Sequence, residues 1–281
     1  MVQNRPLLGL LRHLVLLAGV AIVMFPIYVA LVASTHTAPD LQSTFPGWFG
    51  DQLVENYGTV LSSGMRSAGG APVGTMMFNS LVMALTIAIG KIAISLISAF
   101  AIVYFRFPFR MGFFWIIFLT LMLPVEVRIL PTYEVVAGFG MLDTYVGLTL
   151  PLIASATATF LFRQFFLTVP DELTEAARID GAGPMKFFKD ILLPLSRTNI
   201  AALFVILFIY GWNQYLWPLL ITTREDMYTV VMGIQRMANV DEALIQWNLV
   251  MATAILAMLP PILVVVGMQR LFVKGLVETE K

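Results

Sequence analysis

The sequence predicts an all-α integral membrane protein with six transmembrane helices and a cytoplasmic helix-turn-helix loop between two of them. Three observations lead to this prediction. Of the 281 residues, 59% are hydrophobic and only 12% are charged, a composition that lies outside the range of soluble domains. Several runs without a charged residue are each long enough for a span of about 20 residues. The basic residues are also shared unevenly between the two sides that these spans define.

Six spans follow from runs that contain no Asp, Glu, Lys or Arg or, in the run 67–105, a single one, Lys91. One run is short, because it begins at Met111 and meets Pro124, so its span has to extend to Pro131. We assign the whole chain, residues 1–281, to one transmembrane domain. Four of the spans lie in the uncharged runs 14–39, 144–162, 198–223 and 243–269. The predicted spans are 14–33, 76–104, 111–131, 144–162, 199–221 and 247–270.

The first span competes with a cleaved signal peptide as an interpretation. A signal peptide has an apolar core of about 7–15 residues, whereas the apolar stretch after Arg12 runs from Leu14 to Ala33. We therefore expect a retained helix with Pro26 inside it.

The basic residues predict the side on which each loop lies. With the N-terminus inside, twelve fall on the inner side, four on the outer side and Lys91 within a span. Because cytoplasmic segments carry such an excess, both termini and the loop 168–197 are predicted to be cytoplasmic. The inner residues are Arg5, Arg12, Arg106, Arg110, Arg163, Arg178, Lys186, Lys189, Arg197, Arg270, Lys274 and Lys281. The outer residues are Arg66, Arg128, Arg224 and Arg236.

The residue inventory excludes several kinds of chemistry. Without cysteine there are no disulfides or thiol reactions, and His13 and His36 are too far apart in sequence to suggest a histidine metal cluster. An intramembrane enzyme needs paired acids or a nucleophile with its base, which a single lysine does not supply. The sequence also has no G-x-x-x-x-G-K-[S/T] phosphate loop. We therefore expect no catalysis, no metal and no cofactor, with any ATP bound by another chain.

The loop 168–197 is the longest polar segment on the inner side. Pro170 followed by two acidic residues is typical of a helix start, because acids suit the positive end of the helix dipole. Gly181 is typical of a helix stop at positive φ, and Pro184 opens a second short helix that Pro194 ends. Two short helices with a sharp turn are therefore predicted.

Within this loop, seven residues form a spaced pattern: Glu175, Ala176, Ala177, Gly181, Ile191, Leu193 and Pro194. The pattern resembles the coupling motif of binding-protein-dependent ABC importer permeases, written EAA, three residues, G, nine residues, I, one residue, LP. The resemblance implies that the loop docks into a cleft of an ATPase subunit, a helix-in-groove contact, with Glu175 as charged anchor. Asp180, beside the glycine, is a further coupling candidate. The alternative is an ordinary interfacial helical hairpin.

The likeness covers nearly the whole chain and extends to the carbohydrate-type branch of these permeases. It is carried by the runs 98–103, 121–129, 148–166 and 208–220, which resemble permeases of sn-glycerol-3-phosphate importers. The resemblance implies an inner-membrane complex with a second, non-identical permease, an ABC ATPase dimer and a periplasmic substrate-binding protein. That protein is expected to contact the outer loop 222–245. The expected substrate is sn-glycerol-3-phosphate, with glycerophosphodiesters as further candidates, and the alternative is a sugar or sugar alcohol.

Lys91 is a charge near the middle of the second predicted span. Either interface is about 20 Å away, too far for a lysine side chain to reach. Facing lipid there costs about 2.5–3.5 kcal/mol, so Lys91 should face protein or water. Two interpretations remain open: a lysine bound to backbone carbonyls or a neighbouring acid, and a lysine that lines the substrate pathway.

Three more polar residues are candidates for the pathway. Arg128 lies between two prolines at the outer end of a span, where it either lines the pathway or forms a local salt bridge with Glu126 and Glu134. Asn213 and Gln214 lie in an apolar helix, where amides need partners. Their neighbour Trp217 is predicted to belong to an interfacial aromatic belt.

A channel and a secondary transporter are the distant alternatives. Neither needs a coupling loop, and the inverted repeat that would support a secondary transporter is not apparent in the sequence. Co-purification of an ATPase would distinguish an importer from both.

Overall fold

The computed structural model describes residues 6–43, 46–65, 70–120, 124–240 and 245–278. The side chains of residues 6–8, 43, 125, 126 and 272–278 are not part of that description. Several predicted features therefore lie outside the described residues: positions 121–123 of the third span, 241–244 of the outer loop, and the charges at Arg5, Arg66 and Lys281.

The described residues form helices and no β-strand, as predicted. In chain order the α-helices are α1 (Pro6–Ala33), α2 (Ala38–Ser43), α3 (Leu53–Ser62), α4 (Val73–Tyr104), α5 (Arg110–Leu119), α6 (Val125–Gly138), α7 (Tyr145–Thr149), α8 (Ala156–Phe166), α9 (Asp171–Ile179), α10 (Pro184–Phe187), α11 (Leu193–Leu195), α12 (Arg197–Trp212), α13 (Leu216–Ile221), α14 (Val230–Ala238) and α15 (Trp247–Glu278). A π-turn, Phe188–Leu192, joins α10 to α11, and 3₁₀ turns cover Leu150–Leu152 and Glu225–Met227.

Among the described residues, three to five segments are long and apolar enough to cross a membrane. Helices α1, α4 and α15 qualify alone, and two bent helix pairs qualify if each pair counts as one span. The predicted all-helical membrane architecture is thereby confirmed at this coarser count. Of the third predicted span, α5 covers 10 residues, about 15 Å of helix, which is too short to cross a bilayer alone.

The fourth and fifth predicted spans are broken helices, which hydropathy alone did not predict. Tyr145–Leu152 and Ala156–Phe166 meet at 46°. The break occurs where the Ser155 side chain accepts a hydrogen bond from the Ala158 amide at 3.2 Å and so caps a new helix. In the fifth span, α12 ends at Trp212 and α13 begins at Leu216.

The chain divides into two compact units, and the first comprises Met1–Thr75 and Gly233–Leu259. A buried asparagine pair binds its elements together. The Asn56 amide donates to the carbonyls of Ser34 at 2.9 Å and His36 at 2.8 Å, and accepts from Asn248 at 2.8 Å. Because the Asn56 and Asn248 side chains are buried, these bonds supply partners for both amide nitrogens and fix the end of α1 against α3 and the start of α15.

The second unit comprises Met76–Met232 and Pro260–Lys281. Helix α4 is its central element, and small residues allow close packing against it. A Cβ added at Gly211 of α12 would stand 2.8 Å from the Ala84 Cα, so the two helices approach at backbone distance. The Ser95 hydroxyl donates to the Ser155 carbonyl at 3.2 Å and accepts from Thr159 at 3.1 Å, which links α4 to α8.

Trp217 belongs to the core of the second unit, so its predicted place in an interfacial belt is wrong. Its side chain is only 3% exposed, and its indole donates to the Gly147 carbonyl at 3.2 Å. The break before α13 turns this tryptophan inward against Met83, Ile87 and Leu148. The prediction assumed one continuous helix over residues 199–221.

Candidate functional site

A cavity of about 670 Å³ in the second unit is the candidate substrate site. Helices α4, α5, α6, α8 and α12 all contribute to its wall, and most of the wall is aliphatic. The polar residues that line it are Lys91, Arg128, Tyr210, Ser98, Thr120, Ser155, Thr157 and Thr159. Two cations, a phenol and five aliphatic hydroxyls therefore share one apolar-walled space.

Lys91 lies at this cavity and is only 8% exposed, which confirms that it faces protein rather than lipid. Its ammonium stands 4.0 Å from the centre of the Tyr210 ring, a cation–π contact that strengthens when the charge is withdrawn from water. Neither of the two interpretations of Lys91 that the sequence left open included the Tyr210 ring. The contact holds the ammonium beside the Tyr210 ring at the cavity wall.

Arg128 lines the same cavity from α6 and is exposed. The structure therefore brings together two of the four residues predicted for the pathway. Among the described residues that line the cavity, none carries a carboxylate. The salt bridge predicted with Glu126 falls on a side chain outside the described part of the chain.

Three of the five hydroxyl groups, those of Ser155, Thr157 and Thr159, lie at the break between α7 and α8. Ser155 caps α8, and its carbonyl oxygen lies 2.9 Å from the hydroxyl of Thr159, one turn later. Thr157 lines the same cavity and is exposed. Ser98 lies on α4 two turns after Lys91, a spacing that puts both on one helix face, and it lines the same cavity.

Asn213 and Gln214 are not among the residues that line this cavity. Asn213 follows the last residue of α12 and is exposed, while Gln214 donates to the Tyr210 carbonyl at 3.2 Å. The two amides therefore do not share this cavity with the two cations. Tyr210, one turn before Gln214, is the residue that sequence reasoning missed; an aromatic residue in an apolar helix gives no signal of its partner.

The loop 168–197 presents α9 with most of its side chains exposed. Glu175, Ala176, Asp180 and Gly181 are exposed, whereas Ala177 is only 5% exposed. Gly181 has φ +70°, as predicted. The amide of Ala182 donates to the Ala177 carbonyl at 2.8 Å and that of Gly181 to the Arg178 carbonyl at 3.0 Å. These two bonds form a complete Schellman motif.

The second half of the motif, Ile191, Leu193 and Pro194, is half-buried. It lies in and after the π-turn, and Pro194 gives the reason for that turn. Proline has no N–H to donate to the carbonyl four residues earlier, and its ring crowds that carbonyl, so the helix widens locally. The helical segment Pro184–Leu195 then meets α12 at 71°.

Comparison with known proteins places the chain among transport proteins. A profile described as "Binding-protein-dependent transport system inner membrane component" matches residues 91–278. The sn-glycerol-3-phosphate transport system permease protein UgpE of Agrobacterium fabrum is 62% identical over 285 residues, and its namesakes of Rhizobium meliloti and Salmonella choleraesuis are 60% and 58% identical. Each of the three alignments covers 100% of both proteins.

A solved structure shows the same fold. It is the crystal structure of a bacterial ABC transporter involved in the import of the acidic polysaccharide alginate. One of its chains aligns with a TM-score of 0.80 and 19% identity, over 96% of this chain and 98% of that one. At this identity the likeness concerns the fold alone.

Proposed function

The chain belongs to the family of binding-protein-dependent transport system inner membrane components, and from this premise we propose that it imports sn-glycerol-3-phosphate. It is a permease-type transport component of the inner membrane, not a catalytic subunit. In the proposed complex it forms half of the translocation pathway, and glycerophosphodiesters are further candidate substrates.

The observation that carries the proposal is the joint placement of Lys91 and Arg128 at one apolar-walled cavity. A phosphate monoester loses part of its hydration when it enters such a space, and that loss is costly unless charged donors replace the water. Lysine and arginine form charge-assisted hydrogen bonds to phosphate oxygens. The surrounding serine and threonine hydroxyls are suitable partners for the glycerol hydroxyls.

The proposal assigns different roles to the two cations. Lys91, buried near the middle of its helix, meets the phosphate inside the membrane, and Arg128 meets it first, nearer the outer end. Asn213 and Gln214 do not line this cavity, and their part in the pathway stays a prediction.

The proposed coupling surface is the loop 168–197. Large apolar side chains stand exposed on it, with Ile179 at 86% and Met185 at 69%, and exposed patches of this kind mark protein–protein contacts. Together with exposed Glu175, they support docking into an ATPase cleft as a helix in a groove. The ATP itself would be bound by an ABC ATPase dimer.

The proposed topology has six spans and both termini in the cytoplasm, which places this loop on the ATPase side. A second, non-identical permease would complete the pathway. On the other side, the proposed contact for a periplasmic substrate-binding protein is the outer loop 222–245. Its first half is held firmly, because the Asn79 amide donates to the carbonyls of Asp226 at 2.8 Å and Tyr228 at 2.9 Å.

Uptake tests the proposal. A strain that lacks this gene should not grow on sn-glycerol-3-phosphate as sole phosphate source, and the gene should restore both growth and ATP-dependent uptake of the labelled compound. Excess unlabelled glycerol should not compete, because it lacks the phosphate. Restored uptake of a sugar in place of the phosphate ester would refute the substrate assignment, and uptake without ATP would refute the importer.

A further inference from the structure

A second groove of the second unit shares no lining residue with the candidate substrate cavity. It has a volume of about 640 Å³ and is bordered by the end of the 168–197 loop, the first turns of α12 and part of α15. Its floor is apolar and includes Ala201, Phe204, Met268 and Leu271. The 71° bend before α12 leaves this space, because the two helical segments diverge there.

Among the described residues, the polar ones that line the groove are Lys189 and Arg197. Each carries a positive charge and is exposed. Arg270, also exposed, is the residue before Leu271 of the groove wall. None of the described lining residues is acidic; Asp190, next to Lys189, is exposed and lies outside the lining. The groove thus combines an apolar floor with an excess of positive charge.

We propose that this groove binds an anionic phospholipid of the inner leaflet, with its phosphate at Lys189 and Arg197 and an acyl chain along Phe204, Met268 and Leu271. The inference goes beyond the proposed transport function and rests only on its topology, which puts this end of α12 at the cytoplasmic face. Anionic lipids are concentrated in that leaflet, and basic pockets between transmembrane helices bind their headgroups.

The chemistry of the groove favours a lipid over the other occupants. A free phosphate would meet the two cations but would leave the apolar floor in contact with water. A partner protein would have to bring carboxylates for both cations, because withdrawing unpaired charges from water is costly. A phospholipid supplies the anion and the apolar chain in one molecule.

Photocrosslinking tests the site in the assembled importer. The complex is reconstituted in phosphatidylcholine vesicles that contain either phosphatidylglycerol or phosphatidylcholine with the same diazirine-bearing acyl chain, and the labelled peptides are identified by mass spectrometry. We expect the phosphatidylglycerol probe to label peptides around Phe204 and Leu271 in preference to the phosphatidylcholine probe. The Lys189→Gln/Arg197→Gln variant should lower this preference on the order of tenfold.

The matched control is Lys186→Gln/Arg12→Gln, which removes one lysine and one arginine, both exposed and outside the groove. It should keep the wild-type preference. Equal labelling of the groove by the two probes in the wild-type complex overturns the proposal, whether or not the variants fold. Crosslinking of a Phe204→Cys variant to the partner permease in place of lipid labelling also overturns it, since protein would then cover the groove.

Discussion

Lys91 is the residue on which the proposed passage of an anion depends most directly. Lys91→Met keeps roughly the length and apolar volume of the side chain but removes the ammonium that Tyr210 holds at 4.0 Å. A hydrogen bond to a charged group contributes about 1.5–3 kcal/mol, so we expect uptake of sn-glycerol-3-phosphate to fall roughly 10- to 100-fold. Uptake is to be normalised to the amount of variant in the membrane.

The conservative variant Lys91→Arg serves as the control. It retains a positive charge that can stand over an aromatic ring, so it should keep much more activity than Lys91→Met. If Lys91→Met transports at the wild-type rate, the lysine has only a structural role and the phosphate binds elsewhere.

The side chain of Asp143 holds the beginning of the outer loop 222–245. It adopts φ +52°, and its carboxylate accepts hydrogen bonds from the amides of Thr223 at 2.6 Å and Arg224 at 3.0 Å, and from the Thr223 hydroxyl at 2.6 Å. Asp143→Ala leaves these donors without their acceptor, a loss of about 1 kcal/mol by analogy with helix caps. Trypsin should therefore cleave after Arg224 faster in this variant, whereas Glu55→Ala, which removes an exposed carboxylate far from the cleavage site in sequence, should behave as wild type.

The anchor also has a defined pH dependence. Desolvation raises the pKa of Asp143, but the hydrogen bonds from Thr223 and Arg224 outweigh it and hold the pKa below its ordinary value. A lowered carboxylate pKa means that the anchor is fully formed above about pH 4 and is lost as the pH falls through the lower, native value. Protection of the loop should accordingly be constant between neutral pH and that limit. A loss of protection near pH 6 would contradict the assignment to Asp143.

The site residues differ in how far the sequence could predict them. The burial of Lys91 was predictable, because the cost of a charge in lipid follows from its position alone. Its contact with Tyr210 was not, because the two residues are far apart in sequence and only packing brings them together. Arg128 was ambiguous for the same reason: its neighbours in sequence include acids, while its neighbours in space include Lys91 at the cavity.

At the scale of a structural element, Gly181 ends α9 and sets the direction of the loop that we propose for ATPase docking. A Cβ at Gly181 would meet no atom within 4 Å, so Gly181→Ala acts only through its φ of +70°, which costs an L-residue about 1–2 kcal/mol. We expect lower substrate-stimulated ATP hydrolysis in the assembled complex, with normal membrane insertion.

Gly183 provides a matched control two residues later. Its φ is −69°, and a Cβ there also meets no atom within 4 Å. Gly183→Ala should therefore leave stimulation unchanged. Equal effects of the two substitutions would show that any added methyl disturbs the loop and that the left-handed turn is not what matters.

Gly211 tests the packing of α12 on α4. A Cβ at this position would stand 2.8 Å from the Ala84 Cα, and overpacking of this kind typically costs 1–3 kcal/mol. Gly211→Ala should lower the thermal stability of the complex, while Gly267→Ala in α15, where a Cβ meets nothing within 4 Å, should not. A stable Gly211→Ala variant would mean that the two helices do not touch at this point.

Hydropathy predicted the existence of the membrane helices well, but it did not predict where they are interrupted. The long apolar runs gave α1, α4 and α15 directly, because a span of this length and composition has few other structures in a membrane. The breaks after Leu152 and Trp212 depend on capping and on packing of single residues such as Ser155 and Trp217. A window of about 19 residues averages over such local features, so the two broken helices were outside its reach.

At the scale of the whole molecule, the surface of α1 shows how strongly the fold depends on its surroundings. Only 6% of the most apolar window of this helix is buried within the chain, so nearly all of its apolar surface has to be covered by lipid or by other subunits. The exposed apolar surface of loop 168–197 likewise lacks a cover within the described chain. The single chain is therefore an incomplete unit, which is consistent with the proposed membership in a larger complex.

The orientation of the whole chain is the last prediction, and it rests on twelve inner against four outer basic residues. The chain has no cysteine, so single cysteines can be introduced without background. Ser63→Cys and Asn239→Cys should react with a membrane-impermeant thiol reagent in intact spheroplasts, whereas Thr168→Cys should react only after permeabilisation. All three positions are exposed in the structure, so a difference in labelling reports the side of the membrane and not burial. Labelling of Thr168→Cys alone in intact spheroplasts would invert the topology and with it the proposed coupling surface.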